Sequence, residues 1–284
     1  MKIGAVMFFT AYSMTPAALG RALEERGFES LWVPEHSHIP LSRVTPYPAG
    51  GPLIRPYYDI MDPFLALNTA AAVTTRLKIG TGVCLVNQRD PIHTAKLVSS
   101  IDQLSGGRFL FGVGNGWNRD EMENHGTVFA TRHKLSRERV EAMKAIWTND
   151  DAEYHGEFVN FAKMNQWPKP VQKPHPPVIV GGAFPYAARR AIRYGDGWIP
   201  RADRLEKAGV GVLIEQFRQM ATEAGRDLAS LPITIFRVPE QIERLRYCQE
   251  IGIDRLVFSL PAEKEDSILP ILDRWAALQR QLAG

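Results

Sequence analysis

Only a few stretches of this chain carry residues whose type and spacing could do chemistry. Glu35-His36 sets an imidazole beside a carboxylate, and histidine's ordinary pKa of about 6.5 suits proton exchange near neutrality. A surface or structural histidine at the start of a loop is the other reading of the same residue. His36-Ser37-His38 also has the H-x-H spacing of metal-dependent hydrolases, but such sites need further ligands at later strand ends. Here His93, His125, His133, His155 and His175 fall in segments read as helices or loops, and Ser259 stands where an acidic ligand is required. No metal is therefore expected. Gly181-Gly182-Ala183 precedes a helical segment; bare backbone N–H groups and the positive end of a helix favour a phosphate there, although a tight turn asks for the same residues. Asn115-Gly116 could add donors or be a simple loop, and Arg201 and Arg237 could face an anion or solvent.

Other chemistries find little support. There is no G-x-S-x-G, and neither Cys84 nor Cys248 lies beside a plausible base. Glu24 and Glu25, and Asp120, Glu121 and Glu123, read as solvated helix faces rather than a glycosidase pair. Gly112, Gly114 and Gly116 suggest a dinucleotide fingerprint, but Trp117 occupies the position where its last glycine must stand.

These residues need elements to position them, and the chain alternates strand-like and helix-like segments throughout. The strands are expected at Ile3–Phe9, Ser30–Pro34, Leu77–Leu85, Phe109–Val113, Val178–Val180, Asp196–Pro200, Ile233–Phe236 and Arg255–Leu260. Thr15-Pro16, Asp62-Pro63 and Asp90-Pro91 mark helix starts, a capping side chain followed by a proline that needs no N–H partner. Further helices are expected near 119–124, 131–147, 184–194, 205–223 and 239–251, and after the last strand. Eight such units predict a single-domain (β/α)8 TIM barrel over residues 1–284, with insertions after strand 2 (39–60) and after strand 4 (150–176); a doubly wound open sheet is the alternative. In a barrel the candidate residues gather at the C-terminal ends of the strands.

Composition narrows the partners. The 284 residues are 45% hydrophobic and 23% charged, with a net charge of +3 and no dense basic run, so neither nucleic acid nor an anionic membrane is an expected partner. No apolar stretch approaches the roughly 18 residues of a membrane span. Met1–Phe9 lacks the basic region and cleavage site of a signal peptide. The two cysteines sit among apolar neighbours, as reduced thiols of a cytoplasmic protein would.

Five stretches in order resemble the bacterial-luciferase-like superfamily, and more closely its branch of oxidoreductases dependent on the deazaflavin coenzyme F420. They are Gly27–His36, Leu77–Val83, Asp102–Phe109 continuing into Gly112–Trp117, Pro168–Pro177, and Gly195–Trp198. The resemblance implies hydride transfer between F420 and a small organic substrate at the barrel mouth, usually in a homodimer, with His36 as the acid–base group. In the family aspartate commonly precedes that histidine, so Glu35 is a departure. Gly82 and Val83, where the family often has a non-prolyl cis peptide, would lie against the cofactor ring. Gly181, Gly182 and Ala183 would hold its phosphate, with Asn115 and Gly116 nearby and Trp117 lining the pocket; Arg201, placed at a strand end by the barrel reading, is the candidate to face the anion. The loop with Tyr47, Tyr57 and Tyr58 would be the substrate lid. Two alternatives stay open: an FMN-dependent monooxygenase using O2, served by a separate flavin or F420 reductase, and a barrel that binds flavin without turnover.

Overall fold

The computed structural model describes residues 1–206 and 209–283. In chain order the elements are β1 (Lys2–Met7), α1 (Pro16–Glu25), β2 (Ser30–Val33), α2 (Pro56–Asp59), α3 (Pro63–Ala71), β3 (Lys78–Thr81), β4 (Cys84–Leu85), α4 (Pro91–Leu104), β5 (Phe109–Gly114), α5 (Arg119–Asn124) and α6 (Arg132–Thr148). A hairpin of β6 (Ala152–His155) and β7 (Asn160–Met164) follows, then β8 (Val178–Gly181), α7 (Tyr186–Tyr194), β9 (Trp198–Ile199), α8 (Ala202–Leu205), α9 (Val210–Glu223), β10 (Thr234–Phe236), α10 (Ile242–Glu250), β11 (Arg255–Leu260) and α11 (Glu265–Ala283).

Eight strands pair in parallel in the order β1, β2, β3, β5, β8, β9, β10, β11, and β11 returns to β1. Bridges Trp198↔Ile233 and Arg201↔Phe236 join β9 to β10. The expected barrel is therefore what forms, with a long loop after its second strand and the β6–β7 hairpin after its fourth. Thr15, Asp62 and Asp90 each accept backbone N–H bonds from the first turn of the helix they precede. Most boundaries lie within a residue or two of expectation, and three differ more. The third strand is split by Gly82-Val83, whose peptide is cis, and resumes as β4 beside β5. The helix expected over 239–251 begins only at Ile242, and that over 205–223 is two helices, with positions 207–208 outside the described residues. His155 ends a hairpin strand rather than lying in a loop. Glu24, expected on a solvated face, instead accepts backbone N–H bonds from Thr75, Arg76 and Leu77, tying α1 to the start of β3.

Two apolar layers hold the barrel. The larger lies between the sheet and the helices; the smaller fills the barrel with Val6, Trp32, Leu110, Ile179, Ile199, Phe236 and Val257. Layers of inward side chains make such an interior a packed core rather than a pore. Trp32 dominates it because its neighbour on β3 is glycine: a Cβ on Gly80 would lie 2.6 Å from the indole ring. Its Nε1 donates to Ser30 Oγ at 2.9 Å. Below it the Arg255 guanidinium lies 5.7 Å from the Trp32 ring and is held by Glu29 at 2.7 and 2.6 Å. Among the described residues no helix is long and apolar enough to cross a membrane.

The β3–β5 contact leaves no room for a side chain at position 112, where a Cβ would sit 2.0 Å from the Thr81 carbonyl oxygen. Backbone cannot yield as a side chain can, so Gly112→Ala should lower stability by about 1–3 kcal/mol. A lower urea midpoint with an unchanged slope, the shift multiplied by that slope giving this loss, is the expected result.

Candidate active site

The C-terminal strand ends open under the long loop, and His36 lies at the centre of what they assemble. It follows β2, with its side chain mostly buried. Nδ1 lies 2.7 Å from Glu121 Oε2. Glu121 is 0% exposed, and its other oxygen accepts the Ser37 N–H at 3.0 Å. A buried carboxylate needs such donors to offset its lost hydration. The reading of Glu121 as part of a solvated face is therefore corrected. Helix α5 is so short that Glu121 and Met122 both turn inward while Glu123 stays at the surface, paired with Arg119. No sequence signal separated Glu121 from its acidic neighbours.

Glu35 is not the partner of His36. Its Oε2 accepts the Leu85 N–H at 2.6 Å and its Oε1 takes Arg89, which also reaches Asp62. Successive residues leaving a strand point to opposite sides, so Glu35 clamps β2 to β4 and the start of α4. Burial and this nearby carboxylate push the Cys84 thiol well above its usual range.

Aromatic rings cover His36. Tyr57 lies 4.9 Å away and Trp117 5.8 Å, edge-on. Tyr47 packs on both, at 5.4 and 5.9 Å, and the Arg43 guanidinium lies 5.9 Å from the Trp117 ring. Thus the loop expected as a lid does lie over the mouth through Tyr47 and Tyr57, whereas Tyr58 is exposed. Asp120 pins it by accepting the N–H groups of Val44 and Thr45 and the Thr45 hydroxyl, and Arg204 donates to the Pro48 carbonyl. Burial pushes the Tyr57 hydroxyl up to about 12, Tyr47 adding to the shift and Arg237 opposing it. Arg237 has φ 60, the one non-glycine positive φ among the described residues.

A second group lies around β8. Val83 packs against both Gly114 and Gly181, where a Cβ would come within 2.2 and 2.8 Å of its methyl groups. Gly182 has φ +132, and a Cβ there would stand 3.6 Å from Arg190 Nη2. Arg190 and Arg132 each hold a buried Nε without a hydrogen-bond partner, and among the described residues no carboxylate pairs with either. Burial lowers both guanidinium pKa values, and Arg190 lowers that of Arg132 further. Arginine nevertheless stays charged. Asn115 Nδ2 donates to His133 Nδ1 at 2.6 Å, and burial with Arg132 and Arg190 close by holds His133 at about 4. Arg132 Nη1 donates to the Phe129 carbonyl at 2.7 Å, so what the corner offers an anion such as a cofactor phosphate is a neutral imidazole, a glycine turn and two guanidiniums that meet no carboxylate. Sequence reading named Gly181, Gly182, Ala183 and Asn115 as phosphate candidates; Arg132, His133 and Arg190, which lie in or at the start of helices, were not among them. Arg201, expected in this group, is held by Asp203 at 2.9 and 2.7 Å. Gly116 (φ 64) lies over Met122, and Asn87 donates to the Asn115 carbonyl at 3.0 Å.

The H-x-H pair assembles no metal cage: among the described residues no three His, Cys, Asp or Glu side chains converge as ligands.

Comparison with known proteins gives a consistent family assignment. The family model described as luciferase-like monooxygenase matches residues 15–239. An uncharacterised Mycobacterium tuberculosis protein is 38% identical over 288 residues, covering 98% of each chain. The F420-dependent hydroxymycolic acid dehydrogenase of the same species is 27% identical over 75% of this chain and 55% of its own. The FMNH2-dependent dimethylsulfone monooxygenase of Pseudomonas putida is 32% identical over 54% of this chain and 42% of its own. In fold alone, the crystal structure of monooxygenase RslO1 from Streptomyces bottropensis superposes with a TM-score of 0.78 at 19% identity, covering all of both chains.

A histidine held below its ordinary value is neutral in the folded protein and takes up a proton on unfolding. Its contribution to stability is whole above a pH of about 6.5 and is lost as pH falls towards the folded value. The urea midpoint should therefore drop more steeply between neutrality and mild acid in the wild type than in His133→Gln, and parallel curves would assign the acid sensitivity elsewhere.

Proposed function

The chain belongs to the luciferase-like monooxygenase family, a family of oxidoreductases, and from that premise we propose that it transfers a hydride between coenzyme F420 and a small organic substrate, with His36 exchanging the accompanying proton. The observation that carries this reading is the seating of His36. With Nδ1 donating to the buried Glu121 carboxylate, Nε2 keeps its lone pair, and no described residue bonds to it. A carboxylate behind an imidazole fixes its tautomer and raises its basicity. Hydride transfer at an alcohol or carbonyl carbon moves a proton with each hydride, and Nε2 is suited to take or return it.

F420, when bound, supplies the hydride chemistry, and the protein supplies binding and orientation. We assign the phosphate to Gly181, Gly182 and Ala183 with Arg132, Arg190 and Asn115, because both guanidiniums keep a buried Nε without a partner. Gly82, Val83 and Trp117 are assigned to the ring end. Tyr47 and Tyr57 exclude water and shape the substrate space above His36. Glu35 holds the β2 and β4 exits in place, and Arg201 is left to its pair with Asp203.

An FMN-dependent monooxygenase is the second reading, supported by the Pseudomonas putida relative, and the phosphate corner serves either cofactor. Titration of the protein with F420 and with FMN, followed by absorbance and fluorescence, separates the two. F420 should bind more tightly; tighter FMN binding would overturn the reading in favour of the monooxygenase. Arg190→Ala should weaken whichever cofactor binds by about 1.5–3 kcal/mol, roughly ten- to a hundredfold. An unchanged affinity would remove Arg190 from the phosphate corner.

A further inference from the structure

The H-x-H pair lies on a hydrogen-bonded path from His36 to the surface. We propose that Glu121, Ser37 and His125 form a proton relay joining His36 to solvent. This rests on the reading of His36 as the proton-exchanging group.

Three contacts make up the path, and the longest is the middle one, between the carboxylate and the hydroxyl. His36 Nδ1 and Glu121 Oε2 are 2.7 Å apart, Glu121 Oε1 and Ser37 Oγ 3.5 Å, and Ser37 Oγ and His125 Nε2 2.6 Å. His125 is exposed at the C-terminal end of α5. His38 sets the direction of the middle step. Asn124 Nδ2 donates to His38 Nε2 at 2.9 Å, so the proton of this imidazole lies on Nδ1, which faces Ser37 Oγ at 2.9 Å. The Ser37 oxygen thus receives one bond from His38, and its own proton is free to point to either His125 or Glu121. A hydroxyl with one fixed donor and two alternative acceptors is what a relay requires.

The proton count balances. A proton taken up at His36 Nε2 is matched by one passing from Nδ1 to Glu121 Oε2. A half-turn of that carboxyl carries it to the Ser37 side. Ser37 Oγ accepts it as its own proton moves to His125 Nε2, and His125 gives one from Nδ1 to water. One proton enters and one leaves; no bond to carbon and no electron is involved, and the reverse order reloads His36. The groups bearing on His125 are His38 and Arg89, which disfavour its charged form along with burial, and Glu121 and Glu35, which favour it. Burial is the largest of these effects, and their balance lowers the proton affinity of His125 below that of an ordinary imidazole.

Ser37, Glu121 and His125 act through His36 and are positioning residues, so the test reads proton movement directly. In histidine-15N-labelled protein without cofactor or substrate, the exchange rate of the His36 ring proton with water is measured by saturation-transfer NMR. Ser37→Ala should slow it at least tenfold while the His36 15N shifts, which report the tautomer and the Glu121 bond, stay in place; Ser37→Thr should restore the rate. The double variant His38→Gln/His125→Gln should slow it likewise. An unchanged rate in Ser37→Ala overturns the relay and means that His36 exchanges through the barrel mouth. Because no cofactor is present, this test and the cofactor titration fail independently.

Discussion

A carboxylate that solvent cannot reach governs the mouth of this barrel. Glu121 must be met by donors, and those donors are His36 and the Ser37 N–H, with the Ser37 hydroxyl further off, all from the turn that leaves β2. The bond therefore sets the imidazole tautomer and at the same time fixes α5 against the second strand's exit. Neighbours on that six-residue helix extend the effect. Asp120 holds the long loop over the site, and Met122 supports Gly116 and receives the Asn87 amide. The catalytic candidate, its lid and the fourth-strand loop thus depend on one short helix that would have little stability alone.

Beneath the mouth, packing decides where side chains are absent. Trp32 fills the barrel because β3 offers Gly80 and, further along, Gly82, where a Cβ would meet the Phe236 ring at 2.8 Å. Val83 in turn fits against Gly114 and Gly181. The glycines at the strand exits are thus sites of close approach. They bring Val83, Asn115 and the Gly181–Ala183 corner together as one surface.

The arginines divide by partner. Arg255, Arg89 and Arg201 each meet a carboxylate, and their charges are spent on structure. Arg132 and Arg190 do not, although both are partly withdrawn from water and lie near each other. Two like charges held this way at a glycine corner favour a bound anion, since an anion relieves both their desolvation and their repulsion.

Residues close in sequence carried most of what could be read without coordinates. Alternating short apolar runs and T-P or D-P helix starts determined the eight units and hence the barrel, because strand burial and N-capping are local and act within a few residues. His36, the Gly181–Ala183 turn and the lid tyrosines Tyr47 and Tyr57 were legible for the same reason, as strand-end residues with distinctive chemistry. Tertiary structure alone decided the partners. Glu35 is adjacent to His36 in the chain but points to the other side, while Glu121, 85 residues away, reaches it. Arg132, His133 and Arg190 face inward only because α6 and α7 pack as they do around the strand ends. Which carboxylate meets which imidazole, and which arginine is left without one, depends on side-chain direction and long-range packing, and neither is written in the spacing of residues along one segment.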